Sequence, residues 1–321
     1  MNKLTFLREN GGIPSSLPGE DHISGYIAYL ADLPTAKAGV KDGYSATNRI
    51  LPISSIERAE ALGITADNAK WELRVLHYQL SEIYRLNPGV QLYVGLFAKP
   101  SGGAYTFVEL KLLQRYALGR LRQVGIWLGD KAADTALITT LSGVADSIAA
   151  ASMPLSVLLS PKVTAPVASL PVNLHGTGKS RVSVVIAQDG EGVAVGLYAD
   201  DANKATKASV SALGAFLGIL SRAKVHQSIA WVDQFPLGLS LPAFGDGTLL
   251  RDLDEAVVDT LDKAHYLFAV TYPDINGTYA SDSHTMDDSV SDYAYLERVR
   301  TMDKAERGIR RYLIGKLSGN I

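Results

Sequence analysis

Residues Val90–Leu128 read VQLYVGLFAKPSGGAYTFVELKLLQRYALGRLRQVGIWL, and this stretch decides the fold. Val90–Phe97 is a nearly unbroken apolar run, and Val124–Leu128 is another. Glu109–Leu121, between them, reads as a helix. A strand wetted on one face alternates polar with apolar residues, whereas a strand covered by helices on both faces does not. Two apolar strands separated by a helix therefore predict a parallel pair joined by a crossover.

The same alternation extends outward. Upstream, Ile23, Tyr26, Ile27, Tyr29 and Leu30 form a short buried strand, and Ser54–Leu62 reads as a short helix. Leu73, Leu76, Leu80 and Ile83 recur at three- and four-residue steps, which predicts a helix capped by Thr65 or Asp67 and stopped at Asn87-Pro88-Gly89. Downstream, Asp134–Ala150 reads as a helix and Leu155–Leu159 as a strand. The expected fold class is α/β, a mostly parallel sheet with helices on both faces. Arg181–Ala187 and Val193–Tyr198 flank a Gly-rich turn and predict a hairpin. Ala208–Lys224 is the most apolar helix, with Gly214 and Gly218 four apart; glycine weakens a helix, so the pair points to another backbone packing closely there, and the plainer alternative is ordinary contact of a helix with the sheet. Asp233–Asp246 is rich in turn formers and suggests a domain boundary. A helix (Leu253–His265), a strand (Tyr266–Tyr272) and a hairpin through Asn276-Gly277 follow. The expected organisation is an extended arm over 1–20, an α/β domain over 21–240, and a smaller α+β domain over 241–321 ending in a basic helix.

The chain has 321 residues, a formal charge of -2 and no cysteine. A near-neutral chain shows no global basic field for nucleic acid or anionic membrane. Without cysteine there are no disulfides, thiolate nucleophiles or Cys-based zinc sites. The start lacks the apolar run of a signal peptide, and the most apolar helical window, Val210–Leu220, is shorter than the about 20 residues a membrane span needs.

Candidate chemistry is sparse. His175-Gly176-Thr177-Gly178-Lys179-Ser180 resembles a phosphate loop, but the leading glycine is replaced by Asn173 and a strand, not a helix, is expected to follow. It reads as a surface turn. The six histidines show no metal-ligand spacing. Asp282-Ser283-His284 could belong to a triad, but no G-x-S-x-G marks a nucleophile. Asp274-Ile275-Asn276-Gly277 lacks calcium-loop spacing and reads as a turn. No catalytic, cofactor or metal residue is assigned, and the expectation is a non-enzyme. The alternative is an α/β enzyme or ligand-binding protein, which would need polar groups converging at the C-terminal ends of the strands.

The last helix, SDYAYLERVRTMDKAERGIRRYL (Ser291–Leu313), carries more information. Between Glu297 and Lys316 stand seven basic and three acidic residues. Leu296, Val299, Met302, Ala305, Ile309, Tyr312 and Leu313 form an apolar stripe, with the cations largely off it. Asp303 and Arg307 are spaced as an i, i+4 pair. Cations in the last turns suit the helix dipole, and their excess predicts a docking surface for an acidic partner.

Several stretches together resemble the tail sheath proteins of contractile phages and phage-like injection machines. They are Asp21-His22-Ile23-Ser24-Gly25, Gly214-Ala215-Phe216-Leu217-Gly218, Val225-His226-Gln227-Ser228-Ile229-Ala230-Trp231, Ser281-Asp282-Ser283-His284-Thr285, and Asp292 to Ala305. The look is nearest to a small sheath-like family of Bacteroidetes-type genomes and prophages. The resemblance implies a structural subunit without cofactor, stacking with copies of itself as six-fold rings around an inner tube above a baseplate. It implies assembly in the bacterial cytoplasm and a place in the virion tail or particle, with no nucleic-acid partner and no membrane insertion. It also implies that Arg298, Arg300, Lys304, Arg307, Arg310 and Arg311 include tube- or subunit-facing charges. Sheath subunits generally continue past this helix into further strands, whereas here the sequence ends at Ile321.

Overall fold

The computed structural model describes residues 20–317, so the expected arm lies outside the described residues except for Glu20. The elements run β1 (Ser24–Leu30), β2 (Ile50–Ile53), α1 (Ile56–Ala61), α2 (Trp71–Leu86), β3 (Leu92–Ala98), α3 (Val108–Tyr116), β4 (Gln123–Ala132), α4 (Thr135–Ala150), β5 (Ser156–Lys162) and β6 (Val182–Val185). After these come β7 (Ala187–Asp189), α5 (Gly192–Ala199), α6 (Leu213–Arg222), β8 (Pro242–Phe244), α7 (Glu255–Lys263), β9 (Tyr266–Leu267), β10 (Ala269–Tyr272), β11 (Ile275–Ala280) and α8 (Leu296–Leu317).

A seven-stranded sheet in the order β2-β3-β1-β4-β5-β6-β9 forms the body. Only the β2–β3 pair is antiparallel. Helices cover both faces. Gly25 of β1 lies against Leu113 of α3, while Gly125, paired with Tyr26 on the neighbouring strand, lies against Leu213 and Leu217 of α6. Adjacent register positions point to opposite faces, so α3 and α6 sit on opposite sides. β1 is buried at every position, as its apolar run requires. Asp134 caps α4 by accepting from the Leu137 amide, and Ser55 caps α1.

The glycines of α6 mark a close approach to another helix, α2, rather than ordinary contact with the sheet. A Cβ on Gly214 would meet the Gln79 carbonyl oxygen of α2 at 2.2 Å, and one on Gly218 would meet Leu86 at 2.9 Å. The two helices thus pack with almost no side chain between them.

Four local expectations are corrected. Val193–Tyr198 is not the second arm of a hairpin but part of α5: Gly192 turns the chain at φ +62, and Ala194 and Leu197 bury one face. β7 pairs instead with β8. α6 begins five residues late, because Ser211 turns the chain at φ +68 and the amides of Ser209 and Ala212 bond to the carbonyls of Gly129 and Ala187. Neither Thr65 nor Asp67 caps α2; Lys70 holds the cap position without a side-chain bond. The β10–β11 hairpin turns at Asp274 (φ +62), which places Asn276 and Gly277 inside β11. Strands from either side of residue 241 pair with one another, β7 with β8 and β6 with β9. Among the described residues, no helix is long and apolar enough to cross a membrane.

Candidate assembly interface at the base of the sheet

Parallel strands begin at a common edge, and charged residues stand before several of them. Glu20-Asp21 precede β1, Arg122 precedes β4 and Arg181 precedes β6. α8 crosses this edge and engages Glu20, Asp21 and Arg181, while Arg122 joins the group through Glu20. Asp303 accepts two parallel bonds from Arg181, at 2.9 and 3.0 Å, with the side chains 6% and 14% exposed. Asp146 of α4 lies 3.6 Å from the other side of Arg181. Lys304 and Arg307 donate to Asp21, and Arg311 lies 3.5 Å from Glu20, which also accepts from Arg122 at 3.0 Å. Burial and the neighbouring Arg122 push the Arg307 guanidinium down to about 10. A crevice of about 370 Å³ opens between this half of α8 and the α3–β4 turn.

The six cations chosen from the sequence divide into three groups. Arg298 and Arg310 are exposed. Lys304, Arg307 and Arg311 are joined to Glu20 and Asp21. Arg300 is corrected: it is 3% exposed, donates to the Ala223 carbonyl and leaves two nitrogens without a partner, and burial lowers its pKa to about 10. It holds the root of the helix and cannot face a partner. The Asp303–Arg307 pair also gives way, because the bidentate geometry and burial of Arg181 outcompete an exposed helix-surface contact. The apolar stripe buries only its first turn: Leu296 and Val299 are inside, whereas Met302, Ile309, Tyr312 and Leu313 are exposed.

The sequence gives no hint of the column that leads into α8. The rings of His175, His265, His284 and Tyr295 stack at 4.6, 4.4 and 5.1 Å, and the Arg298 guanidinium lies 4.9 Å over Tyr295. A carbonyl only accepts, so the 2.8 Å contact with Thr285 O fixes the proton of neutral His265 on Nδ1, and Nε2 accepts from Ser289 at 3.0 Å. Burial, with His284 and His175 beside it, lowers the His265 pKa. Burial opposes charge on His284 as well, but Asp282, Asp262 and Glu297 outweigh it and raise the pKa. The two rings therefore shift stability in opposite directions. His265 contributes stability above its unfolded pKa of about 6.5 that is lost as pH falls towards its lower folded value. His284 contributes stability below about 6.5 that is lost as pH rises through its raised value. Between about pH 8 and about pH 5, the advantage of the native chain over His265→Gln should shrink and that over His284→Gln should grow. Urea titrations at the two pH values check both signs.

The remaining motifs close on themselves. The amides of Gly178 and Lys179 point at Asp287 Oδ1 (2.9 and 3.4 Å), so an internal carboxylate occupies the phosphate-loop-like turn. Ser283 donates to Glu297, while His284 Nε2 sits 3.1 Å from Asp282, so Asp282-Ser283-His284 does not assemble a triad. Ligand atoms of Asp262, Asp282 and His284 lie within 4.8 Å of one another, and this is the one group among the described residues that could hold a metal. At the C-terminal ends of β1, β3 and β4, a crevice of about 290 Å³ is lined by Trp71, Trp127 and Tyr29. Its polar groups are paired: Lys99 bridges Glu72 and Asp130, and Lys70 meets Asp32.

The DUF2586 N-terminal domain model matches residues 31–284. A 68-residue stretch is 36% identical to the "Putative tail sheath protein" of Haemophilus phage HP1 (strain HP1c1), covering 21% of this chain and 18% of that protein. Among solved structures, a chain of the anti-feeding prophage baseplate aligns with TM-score 0.55 at 12% identity, over 97% of this chain and 75% of that one. The contracted helical sheath of the same particle gives 0.54 at 14%, over 96% and 76%. The crystal structure of the sheath tail protein of Desulfitobacterium hafniense gives 0.51 at 10%, over 98% and 83%.

Proposed function

The chain belongs to the DUF2586 family, and from that premise we propose that it is a structural subunit of a contractile tail sheath, polymerising around an inner tube. The observation that carries this reading is the split character of α8. Its root is locked into the body by Arg181–Asp303 and Arg300, while its second half exposes Ile309, Tyr312 and Leu313 beside Arg310 and Arg311. A contiguous apolar row flanked by cations marks a surface that a partner covers. Fold alone does not fix function, but the sheath fold and this surface agree. A head-to-tail contact that does not close on itself generates a helical array. The partners are then neighbouring copies, the inner tube and the baseplate, and the setting is the bacterial cytoplasm during assembly and the tail of the particle thereafter. The division at 240/241 is part of the same reading, with the C-terminal segment as the tube-facing part.

Charge reversal tests the interface. Arg298, Arg310 and Arg311 are exposed, so changing all three to Glu should leave the fold intact and weaken co-assembly with the tube protein by about tenfold or more. Sedimentation of co-expressed sheath and tube measures this. Undiminished co-assembly would remove α8 from the interface.

A further inference from the structure

The basic crevice beneath α8 is lined by Arg120, Arg122, Lys304, Arg307, Arg310 and Arg311. Among the described residues, two carboxylates, Glu20 and Asp21, line it with them. These two accept from Arg122, Lys304 and Arg307 and pair with Arg311 at 3.5 Å, so adjacent carboxylates are the chemistry the crevice already holds. They do not saturate it. Arg310 has no ion pair or hydrogen bond among the described residues, and Arg122 keeps a buried Nε without a partner although its side chain is 8% exposed. Glu20 and Asp21 remain 34% and 27% exposed, so their side chains can turn to solvent without unpacking the core.

We propose that Glu20 and Asp21 are an internal stand-in for a partner's acidic segment: they mask the basic face of α8 in the free subunit, and a peptide bearing adjacent carboxylates displaces them. This rests on the reading of α8 as a partner-facing helix and adds its regulation. Root and tip of the helix then differ in kind. The buried Asp303–Arg181 pair holds the root in both states, whereas the half-exposed contacts to Glu20 and Asp21 exchange. Because Glu20 and Asp21 lead into β1, the mask couples the entry to that strand to the exposure of α8.

The test is binding of fluorescein-labelled hexaglutamate by anisotropy at low salt. A site open only a fraction of the time binds weaker by that fraction. If the mask is closed about nine-tenths of the time, E20Q/D21N should bind about tenfold tighter. E20Q alone should gain less, in the same direction. Adding Arg310→Ala and Arg311→Ala to the double variant should abolish the gain. The control is Glu191→Gln/Asp201→Asn, which removes the same charge from exposed positions elsewhere. Equal or weaker binding by E20Q/D21N, or an equal gain in the control, would overturn the mask. Tighter binding of a short DNA duplex than of hexaglutamate by E20Q/D21N would overturn the choice of a carboxylate partner. The two readings fail separately. Normal tube co-assembly with no gain refutes the mask and leaves the sheath reading, whereas a gain without assembly under any condition refutes the sheath reading and leaves the mask.

Discussion

Replacing Asp303 with alanine is expected to lower the unfolding free energy by about 3–5 kcal/mol, the cost of breaking a buried ion pair from one side. The carboxylate is 6% exposed and takes both terminal nitrogens of Arg181. Its removal leaves Arg181 with Asp146 at 3.6 Å, a carboxylate that is 53% exposed and poorly placed to compensate. The surroundings worsen the loss, since Arg300 and Arg307 already hold charge against burial near the same carboxylate. Replacing both partners by apolar residues, Arg181→Met with Asp303→Leu, should recover most of the deficit, because the unpaired charge disappears with its partner. Urea unfolding measures both variants. A loss of under about 1 kcal/mol for Asp303→Ala would class the pair with ordinary surface bridges and remove the anchor proposed for the root of α8.

Gly214→Ala is expected to destabilise by about 2–4 kcal/mol, although alanine is the better helix former by about 1 kcal/mol. The added methyl would meet the Gln79 carbonyl carbon and oxygen at 2.9 and 2.2 Å, so α2 and α6 must separate. Separation also breaks the contacts of the fully buried Gln79 side chain, which donates to the carbonyls of Val210 and Ser211 and accepts from the Gly214 amide. Gly143→Ala in α4 is the internal control. Nothing lies within 4 Å of that Cβ, so propensity acts alone and the variant should gain about 0.5–1 kcal/mol. Thermal melts of the two variants should therefore move in opposite directions.

The parallel sheet was legible because its strands lack alternation, and a close approach at Gly214 was one of two readings, since glycine in an apolar helix also suits ordinary packing on a sheet. α5 was misread because β-branched residues in a short segment favour a strand until tertiary packing decides. At the base of the sheet, residue type was legible and pairing was not. The excess of cations in α8 is plain in the sequence, but Arg181 finds Asp303 only because β6 brings its first residues to the edge that α8 crosses. A usable signal existed for part of it: Asp21 and Arg122 each stand just ahead of an expected parallel strand, and such positions share an edge, whereas Arg181 opened a segment read as a hairpin arm. The stacked histidines left no such trace. His175 comes from the loop before β6, His265 from the turn after α7 and His284 from the link into α8, with no periodicity to join them.

Electron microscopy of the full-length protein, alone at high concentration and with the tube protein of its particle, tests the central claim most directly. The account predicts long hollow cylinders with six-fold end views, shortened or lost in the Arg298/Arg310/Arg311 charge-reversal variant. Single particles of one 34.4 kDa chain under every condition, with the tube left bare, would contradict it.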